Sequence, residues 1–154
     1  HHRNPGVLSS ALNNGKFAEI ICDLNHVSEE SILIAKKCIP DLYAITDSIA
    51  ASGMKDGGYK FANVEIEKKD NKVYLNGTKT LAGSVVNMHD TFLNLLKMNI
   101  SIEEAVRMTS YSAAKFLKNK EIGVNDNGKK ANFLILDHDF NIKSIYLNGK
   151  LING

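Results

Sequence analysis

The feature that most constrains this chain is a strand–helix–strand pattern between residues 18 and 47. Ala18-Glu19-Ile20-Ile21-Cys22 is a compact apolar run of the kind a buried parallel strand shows. It stops at the polar stretch Asp23-Leu24-Asn25-His26. Ser28-Glu29-Glu30 then reads as a helix start, with a hydroxyl cap followed by acids where the helix dipole favours negative charge. The helix continues over Ser31 to Ile39 and stops before Pro40, whose ring disfavours helical backbone at the residue ahead of it. Leu42-Tyr43-Ala44-Ile45-Thr46 is a second buried strand, ending at Asp47. A βαβ unit implies a parallel sheet covered by helices. Sites in such sheets lie beyond the carboxyl ends of the strands, which makes Asp23, His26 and Asp47 candidates by position. Turn and capping roles are the alternative for all three, and the favoured one for Asp23.

The flanking segments are of another kind. His2-Arg3-Asn4-Pro5-Gly6 is loop-like, and Val7 to Asn13 suggests a short helix. Between Tyr59 and Asn76 two short strands, Val64–Glu67 and Lys72–Leu75, are joined by the polar connection Lys69-Asp70-Asn71. Val85 to Asn99 carries Met88, Phe92, Leu95 and Leu96 at helical spacing. Ser101-Ile102-Glu103-Glu104 is a capping-box start for a helix through Val106 and Met108, and Ser112 to Leu117 adds a turn or two. Gly123 to Lys130 reads as a linker. Phe133–Leu136 and Ile145–Leu147 read as strands, and Asn148-Gly149 is a two-residue hairpin turn leading to Lys150-Leu151-Ile152.

One βαβ unit does not make a domain. Its two apolar strands need neighbours on both sides and helices on both faces, which the remaining helices do not plainly supply. The β segments at 59–77 and 131–153 are expected to share a separate small sheet. Composition narrows the function classes. A formal net charge of +2 gives no electrostatic case for nucleic acid or an anionic membrane. No apolar run approaches the roughly 20 residues of a membrane span. Cys22 and Cys38 make neither a CxxC pair nor a zinc spacing, so Cys22 reads as a small core residue and a reduced, cytoplasmic compartment is expected. The first residue is His rather than Met, so the chain is expected to start after a cut, or at the end of a tag that His1-His2 could represent.

Several short motifs, in order, carry a resemblance. His2-Arg3-Asn4-Pro5-Gly6 resembles the HR-x-PG motif of the N-acetylglucosamine-6-phosphate deacetylases, a branch of the amidohydrolase superfamily. Asp23-Leu24-Asn25-His26 resembles their DG-x-H segment, with Leu24 in place of Gly. Ile45-Thr46-Asp47-Ser48 is similar to their V-T-D-A strand end, and Leu81-Ala82-Gly83-Ser84 to their L-[AS]-G-S loop. Glu104-Ala105-Val106-Arg107-Met108, Gly128-Lys129-Lys130-Ala131-Asn132 and Asn148-Gly149-Lys150 resemble the tail of amidohydrolases generally.

The resemblance implies an α/β fold: the C-terminal part of a (β/α)8 barrel plus strands of a small accessory β-sandwich. The expected partition is a barrel fragment over 1–58, a β-hairpin insertion over 59–80, a helical barrel-end segment over 81–122 and sandwich strands over 123–154. It implies hydrolysis of the N-acetyl group of N-acetylglucosamine 6-phosphate, giving glucosamine 6-phosphate and acetate, in a full-length enzyme. Asp47 matches the catalytic acid–base, where burial and nearby charge could tune a strand-end carboxylate. Arg3 matches the phosphate-binding Arg, a role suited to a planar, permanently charged fork. Asp23, His26, Leu81, Ala82, Gly83 and Ser84 match substrate-binding positions, Gly83 because it lets backbone approach the sugar. A divalent metal (zinc, iron or similar) is implied in the full-length enzyme, with ligands ahead of His2 and Asp47 only approaching it. His89 and His138 have no ligand spacing and read as surface polar residues. No metal and no activity are expected of these residues alone. The implied partners are an amino-sugar phosphate and a second subunit in a dimer. An amidohydrolase for another N-acyl or cyclic amide substrate, and a non-catalytic module that keeps the family tail, are the alternatives.

Overall fold

A computed structural model describes residues 3–153. The His2 of the opening motif and the His1-His2 tag question therefore lie outside the described residues. Helix α1 (Val7–Asn14) precedes strand β1 (Phe17–Ile21), helix α2 (Glu29–Cys38) and strand β2 (Asp41–Ile45). β1 and β2 pair in parallel, Phe17 with Asp41 through Ile21 with Ile45. The βαβ unit is therefore present with its boundaries within a residue or two. The Ser28 hydroxyl accepts the Ser31 N–H at 3.4 Å, and Glu29 and Glu30 occupy the first turn while Lys36 and Lys37 occupy the last. Each sign of charge thus complements the helix end it sits on.

Three further strands follow: β3 (Gly57–Phe61), β4 (Val64–Lys69) and β5 (Lys72–Leu75). They form an antiparallel sheet in that order. β3 escapes a pattern-based search because Gly57-Gly58 opens it with residues of low strand propensity. The connection between β4 and β5 is two residues, not three. Lys69 is still paired with Lys72, and Asp70 and Asn71 take φ of 50° and 59°. Asn and Asp tolerate that left-handed backbone, which matches the twist of the flanking strands.

Helix α3 (Met88–Lys97) starts at Asn87, whose side chain accepts the Asp90 N–H at 2.8 Å. Helix α4 (Ile102–Val106) starts at Ser101, whose hydroxyl accepts the Glu104 N–H at 3.3 Å. α4 runs without a break into a π-helical turn (Arg107–Tyr111) and on into α5 (Ser112–Phe116). The Thr109 hydroxyl donates to the Ala105 carbonyl at 2.8 Å inside this wide turn. The last strands, β6 (Phe133–Leu136), β7 (Ile142–Leu147) and β8 (Lys150–Asn153), form a second antiparallel sheet. Asn148 and Gly149, at φ 50° and 76°, make its tight turn.

The expectation of one shared small sheet fails. Strand patterns give strands but not partners, and among the described residues the two three-stranded sheets share no ladder. The main core joins the parallel pair to the helices: Cys22, Ile32, Ile39, Leu42 and Ala44 meet Phe92, Leu95, Ile100, Ala105 and Met108. Cys22 is fully buried, as its apolar run suggests, and burial pushes its thiol up to about 12. A smaller cluster of Ala51, Ile66 and Val73 fastens β3–β5 to the segment that follows β2. No helix among the described residues is long and apolar enough to cross a membrane.

Candidate active site

The register of the parallel pair defines the place. Ile21 is level with Ile45, so Asp23 and Asp47 each stand two residues beyond the last registered pair, at the same edge of the sheet. The strands are mainly apolar, with Glu19 of β1 exposed, and a run of polar residues begins beyond their carboxyl ends.

At the end of β1, Asp23 builds a turn. One carboxylate oxygen accepts the N–H groups of Asn25 at 2.9 Å and His26 at 3.0 Å. The other faces His26 Nδ1 at 2.8 Å. Burial pushes the Asp23 carboxyl up, but the backbone N–H groups of His26 and Asn25 and the His26 ring outweigh it and hold it below the usual carboxylate range. The arrangement fixes the His26 ring and leaves its Nε2 side away from the turn. Leu24 takes φ 60° and is exposed. Glycine adopts that backbone at no steric cost, so the Gly of the resembled motif has a conformational reason that Leu24 does not share. The Asn94 side chain donates to the Cys22 carbonyl at 3.0 Å and ties α3 to this strand end. Asp23, Asn25, Asn71, Val85, Asp90 and Lys97 line a polar cavity of ≈ 300 Å³ between this turn and α3.

At the end of β2, Asp47 is exposed and left-handed, with φ 49°. The burial expected around it is absent among the described residues. Its carboxylate makes no hydrogen bond among them, so it is open to water or a substrate. Its carbonyl accepts the Ser84 N–H at 3.0 Å, and the Ile49 N–H donates to the Ser84 carbonyl at 3.0 Å. These two bonds form the parallel bridge between Ser48 and Ser84. The Leu81–Ser84 loop therefore divides. Leu81 and Ala82 run beside β5, with the Ala82 N–H on the Val73 carbonyl at 2.9 Å, while Gly83 and Ser84 turn to Asp47. Arg3 is exposed in the turn ahead of α1, on a different stretch of chain from this bridge.

Of the residues singled out from sequence, two groups come together: Asp23 with His26, and Asp47 with Gly83 and Ser84. Sequence reasoning missed Ser48 and Ser52, whose hydroxyls donate to the Val86 and Val85 carbonyls. It also missed Lys68, a buried lysine whose ammonium caps the Met54 carbonyl. These contacts span 14 to 38 residues and leave no local signal. His89 is a correction. It is partly buried and donates from Nε2 to the Phe140 carbonyl at 2.8 Å, so it joins α3 to the β6–β7 turn. His138 is exposed beside Asp139, as expected.

Among the described residues, no group of three or more His, Cys, Asp or Glu could hold a metal ion. Asp23 and His26 are committed to each other, and nothing supplies a third donor beside Asp47. The described residues alone do not fit a divalent-metal centre.

The amidohydrolase family model matches residues 7–152. An N-acetylglucosamine-6-phosphate deacetylase of Vibrio furnissii is 32% identical over 99% of this chain and 39% of its own length. The chain thus spans about two fifths of that relative. A putative N-acetylgalactosamine-6-phosphate deacetylase of Escherichia coli is 28% identical, with 98% of this chain and 92% of that protein covered. The crystal structure of N-acetylglucosamine-6-phosphate deacetylase from Pasteurella multocida superposes with a TM-score of 0.93 at 29% identity, over 100% of this chain and 41% of that one.

Proposed function

The chain belongs to the amidohydrolase family, and from that premise we propose that it carries the acid–base end of a deacetylase acting on N-acetylglucosamine 6-phosphate. The products are glucosamine 6-phosphate and acetate. The observation that carries this reading is Asp47: a carboxylate without a partner among the described residues, at the carboxyl end of a parallel strand, held at its backbone by the Gly83–Ser84 segment.

Amide hydrolysis needs a group that takes a proton from the attacking water and returns it to the leaving amine. Asp47 can do both, because its carboxylate is exposed and committed to no other residue. His26 is the second contact. Its Nδ1 is held by Asp23, which presents the opposite ring nitrogen for a substrate oxygen. Arg3 is assigned to the 6-phosphate, where a guanidinium gives two parallel charge-assisted bonds. The backbone of Leu81 and Ala82 is assigned to the sugar. The described residues alone do not make a divalent-metal ligand set. The reading assigns a divalent metal such as zinc or iron to residues of a longer polypeptide, together with the remaining barrel strands, a cytoplasmic setting and a dimeric assembly.

The test is acetate release from N-acetylglucosamine 6-phosphate by the full-length protein. Asp47→Asn should keep substrate binding and lower turnover by on the order of 10²–10⁴-fold, since an amide cannot accept the proton. Near-normal turnover in that variant would remove the assignment. Leu24 and the Escherichia coli relative keep one second reading in view: a different N-acetylhexosamine 6-phosphate as substrate. Comparing kcat/KM for the gluco and galacto sugars decides between the two.

A further inference from the structure

We infer that Gly83 and Ser84 are positioning residues for Asp47, acting on its backbone rather than on the sugar. The inference rests on the acid–base role proposed for Asp47. The Asp47 carboxylate has no hydrogen bond among the described residues. Its direction is therefore set by its backbone, and that backbone is left-handed at φ 49°. An Asp tolerates that backbone but is not locked in it, so holding one direction falls to the hydrogen bonds on either side of Ser48.

Ser84 supplies those bonds. Its N–H holds the Asp47 carbonyl and its carbonyl holds the Ile49 N–H, each at 3.0 Å, one bond on either side of Ser48. Ser84 is 2% exposed, and its hydroxyl accepts the Val86 N–H at 3.0 Å. The Ser48 hydroxyl donates to the Val86 carbonyl and closes the bridge from the other strand. Behind it, the Ala82 N–H on the Val73 carbonyl joins the segment to the β3–β5 sheet. That sheet thus acts as the platform against which Asp47 is aimed.

Gly83 makes the close approach possible. Its φ is +80°, and a Cβ built there would lie 2.6 Å from Ile49 Cγ2. That contact is too short to persist, so any side chain at 83 pushes the Ser84 segment off the residue just after Ser48. The obstacle is on the Ile49 side, and this separates a positioning role from one in which Gly83 clears space for substrate.

The experiment is a steady-state comparison in the full-length protein of Gly83→Ala, Ile49→Ala and the double variant. Gly83→Ala should lower kcat about 10²-fold, the order expected when a catalytic group is misplaced by about 1 Å. KM should stay within about 3-fold. Adding Ile49→Ala removes the obstructing methyl though not the strain of a side chain at φ +80°, and should restore at least about 3-fold of kcat relative to Gly83→Ala. A rise in KM with kcat kept, or no recovery in the double variant, overturns the inference. Hydrogen exchange of the Ser84 and Ile49 amides supplies a readout that needs no activity. Both should exchange slowly in the unmodified protein, and Gly83→Ala should speed both. Fast exchange in the unmodified protein overturns the bridge. Slow exchange there together with no acetate release retains the bridge and removes the deacetylase reading instead.

Discussion

Strands β2 and β8 differ in what lies over them. Asp41 to Ala44 of β2 are buried, whereas all of Lys150–Asn153 in β8 is exposed. The side chains of β2 join a core shared with α2, α3 and the π-helical turn. β8 is an edge strand of a sheet in which no residue is fully buried, and Leu147, Leu151 and Ile152 are each more than half exposed. Both strands are apolar enough to be recognised from sequence. The difference teaches that an apolar strand announces a need for cover without saying what provides it. For β2 the cover is in this chain, and for β6–β8 it is not among the described residues.

The sharpest way to break that contrast is to hollow out each side in turn. Leu95 on α3 is fully buried in the core that covers β2. Leu95→Ala should cost about 2–5 kcal/mol, from lost transfer energy plus the cavity left behind. Urea unfolding followed by circular dichroism measures it. A loss below 1 kcal/mol would mean that the core over β2 is far looser than its burial indicates.

A second effect tests the polar lock at the start of β2. Asp41 lies between Lys115, at 2.7 Å, and Arg107, at 2.8 Å. The hydrogen bond from Lys115 lowers its pKa most; burial opposes this, and Arg107 lowers it further. The folded value is therefore below the unfolded one. The stabilisation is complete above the unfolded Asp value of about 3.9 and is lost as pH falls through the lower folded value. Because Lys115 and Arg107 are partly exposed, Asp41→Asn should cost about 1–2 kcal/mol at neutral pH. The variant should also lose part of the acid-side fall in stability. Parallel pH profiles for the two proteins would refute the lock.

His89 tests the joint between the two regions. Its bond to the Phe140 carbonyl and the edge-on contact of Phe92 with Phe140, at 5.9 Å, tie the β6–β7 turn to the main core. His89→Ala should cost about 1 kcal/mol, the usual net worth of one hydrogen bond. Amide exchange should rise in β6 and β7 and stay unchanged in β1 and β2, because the outer sheet opens as its own unit. Equal acceleration in both sheets would show a single cooperative body.

The same contrast marks what sequence can reveal. The βαβ unit was legible because its signals are local: apolar runs, the Ser28 cap and the stop at Pro40. The Ser101 cap and the Asn148-Gly149 turn were legible for the same reason. The π-helical turn was not, since Arg107–Tyr111 carries the residues of an ordinary helix. The separation of the two small sheets was not legible either, because period-two alternation is silent about partners. At the candidate site, strand-end position made Asp47, Asp23 and His26 candidates and left turn and capping roles open, and their site roles came from the motif resemblance. The contacts that set these residues, Ser84 on the Asp47 carbonyl and Asn94 on the Cys22 carbonyl, are ones that only the folded chain creates.

The smallest effect on stability is expected where the apolar residues are most exposed. Leu151 and Ile152 are 56% and 61% exposed and belong to an edge strand with unpaired backbone groups. Replacing both with Thr keeps strand propensity and removes apolar surface that meets only water. Each substitution should change unfolding stability by no more than about 0.5 kcal/mol. Association should respond instead. An open edge beside exposed Leu134, Ile135 and Leu147 offers both ladder hydrogen bonds and an apolar face to a second copy. Residues 3–153 should therefore elute larger than a monomer in size-exclusion chromatography, and the double Thr variant should shift toward monomer size. If the variant instead unfolds about 2 kcal/mol more easily with no change in elution, β8 is covered within the chain and the contrast with β2 disappears.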